Sequence, residues 1–124
     1  MQFASVRIIT DDVPRLADFY EALTGLTPER VGEVFAVFRA DTGTLAIGHV
    51  ATTASFADAM PAPGSRAPLL VEFLVDDVEE ACDRARQLGA EVALEPTTMP
   101  WGNRSAIVRD PDGTLINLFA PPAS

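Results

Sequence analysis

Cysteine occurs once in this 124-residue chain, at Cys82, so no internal disulfide can form. A reducing compartment, most simply the cytoplasm, is the expected address. Positive charge is scarce as well. Nine basic residues stand against eighteen acidic ones, for a formal net charge of −9. Nucleic acid and anionic membrane both require a basic face, so neither is expected as a partner. Surface acid of this kind keeps a protein soluble, and it is also compatible with a cationic ligand. Apolar runs are short, and stretches such as Ala67 to Val71 fall far below the roughly 20 residues of a membrane-spanning helix. Met1-Gln2-Phe3 leads directly into strand-like sequence, so no secretory leader is expected. Histidine and tryptophan occur once each, and any imidazole or indole chemistry rests on His49 and Trp101.

What is present is the composition of a packed protein, 48% hydrophobic, with an internal repeat. Val37-Phe38-Arg39-Ala40-Asp41-Thr42-Gly43-Thr44-Leu45 returns 70 residues later as Ile107-Val108-Arg109-Asp110-Pro111-Asp112-Gly113-Thr114-Leu115. Asp11-Asp12-Val13 returns 65 residues later as Asp76-Asp77-Val78. Two copies of one half-domain can close around a cavity on their pseudo-twofold axis, where ligands tend to sit.

Each half reads as strand, aspartate-capped helix, then further strands. Ser5 to Thr10 alternates as a strand, with Ser5, Arg7 and Ile9 on one face and Val6 and Ile8 on the other. Asp11 and Asp12 offer capping oxygens, Pro14 suits a first helical turn, and Gly25 is a stop signal. Leu16, Phe19, Tyr20 and Leu23 recur at helical spacing between them. Val34 to Arg39 and Thr44 to Val50 follow as strands. Residues 51–68, rich in Ala, Thr, Ser and Pro, read as a linker in which Phe56 and Met60 are candidate anchors. In the second half, Leu69 to Val75 is a strand, and Val78, Ala81, Cys82, Ala85 and Leu88 form the apolar face of a helix that stops at Gly89. Glu91 to Leu94 is a short strand, Glu95 to Gly102 a loop, and Arg104 to Arg109 and Thr114 to Phe119 are strands about the Asp110-Pro111-Asp112-Gly113 turn. The expected fold is α+β: one domain over residues 1–124, made of two tandem βαβββ modules (about 1–50 and 69–124). They form a cupped, mostly antiparallel sheet with helices outside.

The run Asp12-Val13-Pro14-Arg15-Leu16-Ala17-Asp18-Phe19-Tyr20, then Leu23-Thr24-Gly25-Leu26, resembles the first helix of the vicinal oxygen chelate superfamily. That superfamily holds glyoxalase I, the bleomycin resistance proteins and the extradiol dioxygenases. Trp101-Gly102-Asn103-Arg104, Asp110-Pro111-Asp112-Gly113 and Leu118 resemble its closing signature. The resemblance implies four metal-ligand positions in the superfamily's metalloenzymes: a His in each opening strand and a Glu in each last strand. Here those positions hold Ser5, Leu70, Asn117 and Ile47, or Gly48 if the register slips by one. None supplies imidazole or carboxylate, so neither metal nor other cofactor is expected.

Arg7 and Glu72 lie two residues beyond the first pair of positions, on the same strand faces. They read either as ligand contacts or as a structural ion pair. His49 follows Ile47 by two and would share its face. Asn117 can donate and accept, and Ser5 offers a small hydroxyl. Trp101 and Asn103 sit in a loop where an indole would either stack on a flat or cationic ligand or plug the sheet end. Phe35 and Phe38 point to opposite faces, so one lines the cavity side and the other packs under the helix. Arg39 and Arg109 are turn-anchoring or surface residues, and Cys82 is buried and inert.

The ligand-binding set is therefore Ser5, Arg7, Phe35, His49, Glu72, Trp101, Asn103 and Asn117. The expected function is metal-independent binding of a small organic molecule, possibly cationic or aromatic, in the cupped cavity. A homodimer is implied by the superfamily's sequestering members. The alternative is a lyase, isomerase or dioxygenase of the same superfamily that uses Glu72, His49 or an atypical metal site.

Overall fold

Two aspartates 65 residues apart start the two helices by the same device. In this computed structural model, which describes residues 1–60 and 69–122, the Asp12 carboxylate accepts from the Arg15 backbone N–H at 3.1 Å, and helix α1 runs Val13–Thr24. Asp77 accepts from the Glu80 N–H at 3.1 Å ahead of helix α2, Val78–Gln87. Each carboxylate satisfies an amide that the helix itself leaves unpaired. Helix α1 ends where the sequence predicts. Gly25 takes the left-handed φ of 74° and its N–H closes on the Glu21 carbonyl at 2.9 Å, a conformation costly for any residue with a Cβ.

The chain divides into two compact units, Met1–Ser65 and Arg66–Ser124. The first contains β1 (Val6–Thr10), α1, β2 (Glu29–Val31), β3 (Phe35–Ala40), β4 (Gly43–His49) and a 3-10 helix, Val50–Ala59. Its sheet runs β1-β4-β3-β2. The second contains β5 (Leu70–Leu74), α2, β6 (Val92–Thr98), β7 (Arg104–Arg109) and β8 (Leu115–Ala120), in the order β5-β8-β7-β6. In each sheet the opening strand pairs parallel with the last one and the other two pairings are antiparallel. The fold is α+β, two four-stranded mixed sheets from two βαβββ units. The parallel pairing arises because each helix returns the chain across its own sheet.

Strand alternation gives each sheet one face for its helix. In the first unit Ile8, Ala36, Phe38 and Ile47 share the α1 side and are buried, and the Tyr20 ring lies 6.3 Å from Phe38. In the second, Ala106, Val108, Ile116 and Leu118 form the helix side, with Cys82 fully buried on α2. The cysteine is core, as its place on the apolar helix face predicts.

Four local readings change. Strand β2 is short and wholly exposed, so no apolar alternation marks it in the sequence. Strand β6 continues through Pro96 to Thr98, past the expected end at Leu94. It is an edge strand, and its register shifts on both sides of Leu94 leave room for a residue with no N–H. The start of the expected linker is helical instead, because the Thr52 and Thr53 hydroxyls bond back to the carbonyls of His49 and Val50 at 2.6 and 2.7 Å; the rest of that linker, 61–68, lies outside the described residues. Leu88 is exposed, since α2 stops one residue before it and Leu88 serves as the cap.

Candidate functional site

Register decides which side chains can share a site. In the first unit Arg7 pairs with Ala46, Ile9 with Gly48, and Gly48 with Phe35. Arg7, Ile9, Phe35, Ala46 and Gly48 therefore lie on the sheet face opposite α1. The expected division of the two phenylalanines is settled: Phe38 packs under the helix and Phe35 faces the other way. Ile47 is fully buried on the helix side, so of the two β4 residues Ile47 and Gly48 it is Gly48 that shares a face with Arg7.

Arg7 is the centre of a small cluster. Its guanidinium carbon lies 5.9 Å from the centroid of Phe35 and 5.8 Å from that of Phe56, within the range of cation–π attraction. Phe56 arrives on the 3-10 helix, and Thr52 from the same helix closes over Gly48. A Cβ at Gly48 would stand 2.9 Å from Thr52 Oγ1 and 3.0 Å from Arg7 Cδ. A Cβ here would have to displace the Thr52 hydroxyl or the Arg7 stem, so the glycine leaves the lane in which the arginine lies. The sequence marks Phe56 as a candidate linker anchor but not Arg7 as its partner. The available signal was a lone large aromatic in an Ala/Thr/Ser run.

Ser5 is exposed and precedes β1. His49 ends β4 opposite Thr10, on the α1 side by alternation, and its Nδ1 accepts from the Ala51 backbone N–H at 3.0 Å. That bond sets the ring as a turn-stabilising acceptor, with Nε2 carrying the proton of the neutral form.

In the second unit, Glu72 and Asn117 are register partners on β5 and β8, and Asn117 Nδ2 donates to Glu72 Oε2 at 2.8 Å. Glu72 is exposed. Asn117 Oδ1 is buried and has no hydrogen-bond partner among the described residues. Leu70 shares this face and is 43% exposed. Trp101, 70% exposed, and Asn103, half-buried, lie in the β6–β7 loop, where the Asn103 carbonyl accepts from the Met99 N–H at 2.6 Å. The structure thus joins Arg7 with Phe35 and Glu72 with Asn117.

Arg39 and Arg109 hold equivalent places. Arg39 reaches Glu29 at 3.5 Å, and Arg109 reaches Glu91 at 3.7 Å while donating to the Gly113 carbonyl at 3.0 Å. Both are strand and turn anchors. An open groove of about 540 Å³ on α2 is lined by Asp77, Glu79, Glu80, Asp83, Arg84 and Gln87, and contains none of the candidate ligand-binding residues.

Among the described residues, no three His, Cys, Asp or Glu side chains come together to hold a metal ion. The four positions that the resemblance implies for metal ligands supply neither imidazole nor carboxylate: they hold a serine, a leucine, a glycine or buried isoleucine, and an asparagine whose Nδ2 donates to Glu72. Among the same residues, no helix is long and apolar enough to cross a membrane.

Comparison with known proteins supports the fold assignment throughout. "Putative glyoxylase CFP32" of Mycobacterium tuberculosis and of Mycobacterium bovis is 29% identical over 118 residues, 92% of this chain. The chain spans 42% of the length of those relatives. A glyoxalase/bleomycin resistance protein/dioxygenase family enzyme from Burkholderia phytofirmans superposes with a TM-score of 0.86 at 19% identity, covering 94% of this chain and 96% of the other. Lactoylglutathione lyase from Agrobacterium tumefaciens superposes at 0.72 with 21% identity, covering 96% and 92%. Residues 2–118 match the family model itself, so the repeated βαβββ unit has its explanation: this chain belongs to the Glyoxalase/Bleomycin resistance protein/Dioxygenase superfamily.

Proposed function

We propose that this protein binds a small organic molecule, without metal and without turnover. The reading is carried by the side chains at the superfamily's four metal-ligand positions: Ser5, Leu70, Gly48 or Ile47, and Asn117. A catalytic metal needs about three protein ligands from imidazole, thiolate or carboxylate, and these positions supply none. Ile47 is shut in the helix-side core, and the Asn117 side chain donates from Nδ2 to Glu72. The single buried cysteine fits a cytoplasmic protein, and a homodimer is the assembly the superfamily's sequestering members lead us to expect.

Native mass spectrometry of freshly purified protein tests this reading in one spectrum. A metal-free dimer carrying an organic mass is the expected result. One metal per chain would overturn it.

A second reading has one observation in its favour. The Asn117 amide holds an exposed carboxylate, that of Glu72, in a set orientation at 2.8 Å. A pre-oriented carboxylate is what a general base requires. Under this reading the protein is a lyase, isomerase or dioxygenase. Glu72→Gln would then abolish turnover of a bound compound and leave its binding intact.

A further inference from the structure

We propose that the ligand is an organic anion, its carboxylate or phosphate seated on Arg7 between Phe35 and Phe56. This rests on the binding reading above and names the chemical class it would take.

Arg7 is an arginine in an acidic protein that has no acidic partner among the described residues of its own unit. The chain has no lysine and nine arginines against eighteen carboxylates. Arg30, Arg39, Arg84, Arg86, Arg104 and Arg109 each have a carboxylate within ion-pair distance. Among the described residues of its own unit, Arg7 has neither a carboxylate nor a hydrogen-bond acceptor, although it is exposed and its side chain lies against two rings. Its five N–H donors form a planar fork that matches the two oxygens of a carboxylate or phosphate.

The surroundings prepare that fork for a ligand. Two rings within 6 Å and the glycine lane at Gly48 restrict the side chain before anything binds. An anion arriving there has less rotamer entropy to overcome than at a free surface arginine. The rings also give apolar walls, which suit an anion with a flat hydrocarbon body. The net charge of −9 points toward cations, but at contact the local charge decides. Exposed charges more than about 8 Å away are largely screened at physiological ionic strength, whereas the guanidinium would touch its ligand.

The test uses the intact protein and four probes: benzoate, phenyl phosphate, neutral benzamide and cationic benzamidinium. The readouts are the Arg7 Nε–Hε resonance and the Gly48 and Thr52 amides in nitrogen-edited NMR. Benzoate or phenyl phosphate should shift all three saturably, and the stronger of the two identifies the headgroup. Arg7→Gln, with an otherwise unchanged amide spectrum, should weaken that binding by about tenfold or more, the scale of a lost charge-assisted pair. Arg7→Lys should recover only part of it. Saturation by benzamide or benzamidinium in place of the anions, or anion binding indifferent to Arg7→Gln, would overturn the anionic assignment and leave the binding reading standing. Silence from all four probes, with no co-purified mass, would overturn both.

Discussion

Arg104, the first residue of β7, donates from Nε to Glu79 in the first turn of α2 at 2.7 Å, and a second contact from Nη2 completes the pair. The hydrogen bond from Arg104 is the largest influence on Glu79, followed by a backbone hydrogen bond, and together they hold its carboxyl below the ordinary 4.5. The sign follows from linkage. The unfolded chain takes up this proton more readily than the folded one, so the pair stabilises fully above the ordinary glutamate range. That contribution is lost as the pH falls through the lowered folded value. Arg104→Ala should therefore raise the Glu79 carboxyl toward its ordinary value, read by carbon-detected NMR titration. An unchanged titration would show that the pair is not formed in solution. Ile47 is one of the two residues that the resemblance allows at its β4 metal-ligand position, and it is fully buried on α1's side of the sheet. Ile47→Ala should cost about 2–5 kcal/mol in urea unfolding and leave ligand affinity unchanged, because the deletion opens a core cavity.

Capping and turn chemistry govern the elements. Asp77→Ala should lower stability by about 1 kcal/mol, since the Glu80 amide would lose its acceptor, and Asp77→Asn should restore most of it. The turn before β8 depends on Asp110, a buried carboxylate whose Oδ1 accepts from the backbone of Asp112 and Thr114, both at 2.9 Å. Its repeat-matched position in the first unit is Ala40, which is exposed, so the two turns are held differently despite sharing Gly-Thr-Leu. Asp110→Ala should destabilise by about 1–3 kcal/mol, because two amides lose a partner at a buried site. Ala40→Gly should change stability far less, and equal effects in thermal unfolding would contradict this asymmetry. These caps and turns were legible in the sequence, because an aspartate at a helix start or a Pro-Asp-Gly turn acts over three or four residues. The three-residue strand β2 and the path of β6 through Pro96 were not legible, since an edge strand needs little alternation and tolerates an absent donor.

For the molecule as a whole, Cys82 is a reporter of opening, being fully buried on α2. A thiol reagent should label native protein only through unfolding, and its rate should rise in step with urea unfolding. Rapid labelling in buffer would show that α2 detaches locally. The duplication, the two helix starts, the end of α1 and the superfamily are legible in the chain alone, because these are written as spacing, capping and period. That the metal-ligand positions hold no imidazole or carboxylate is legible there too, as a matter of residue identity alone. Which side chains meet is set by how the strands pair and where the 3-10 helix lies. Arg7 joins Phe35 and Phe56 from three separate elements, and Glu72 joins Asn117 across 45 residues. The same pairing turns Ile47 into core and Gly48 toward Arg7. The reason is register: in a pleated strand a shift of one residue exchanges the two faces, and only strand pairing fixes that choice.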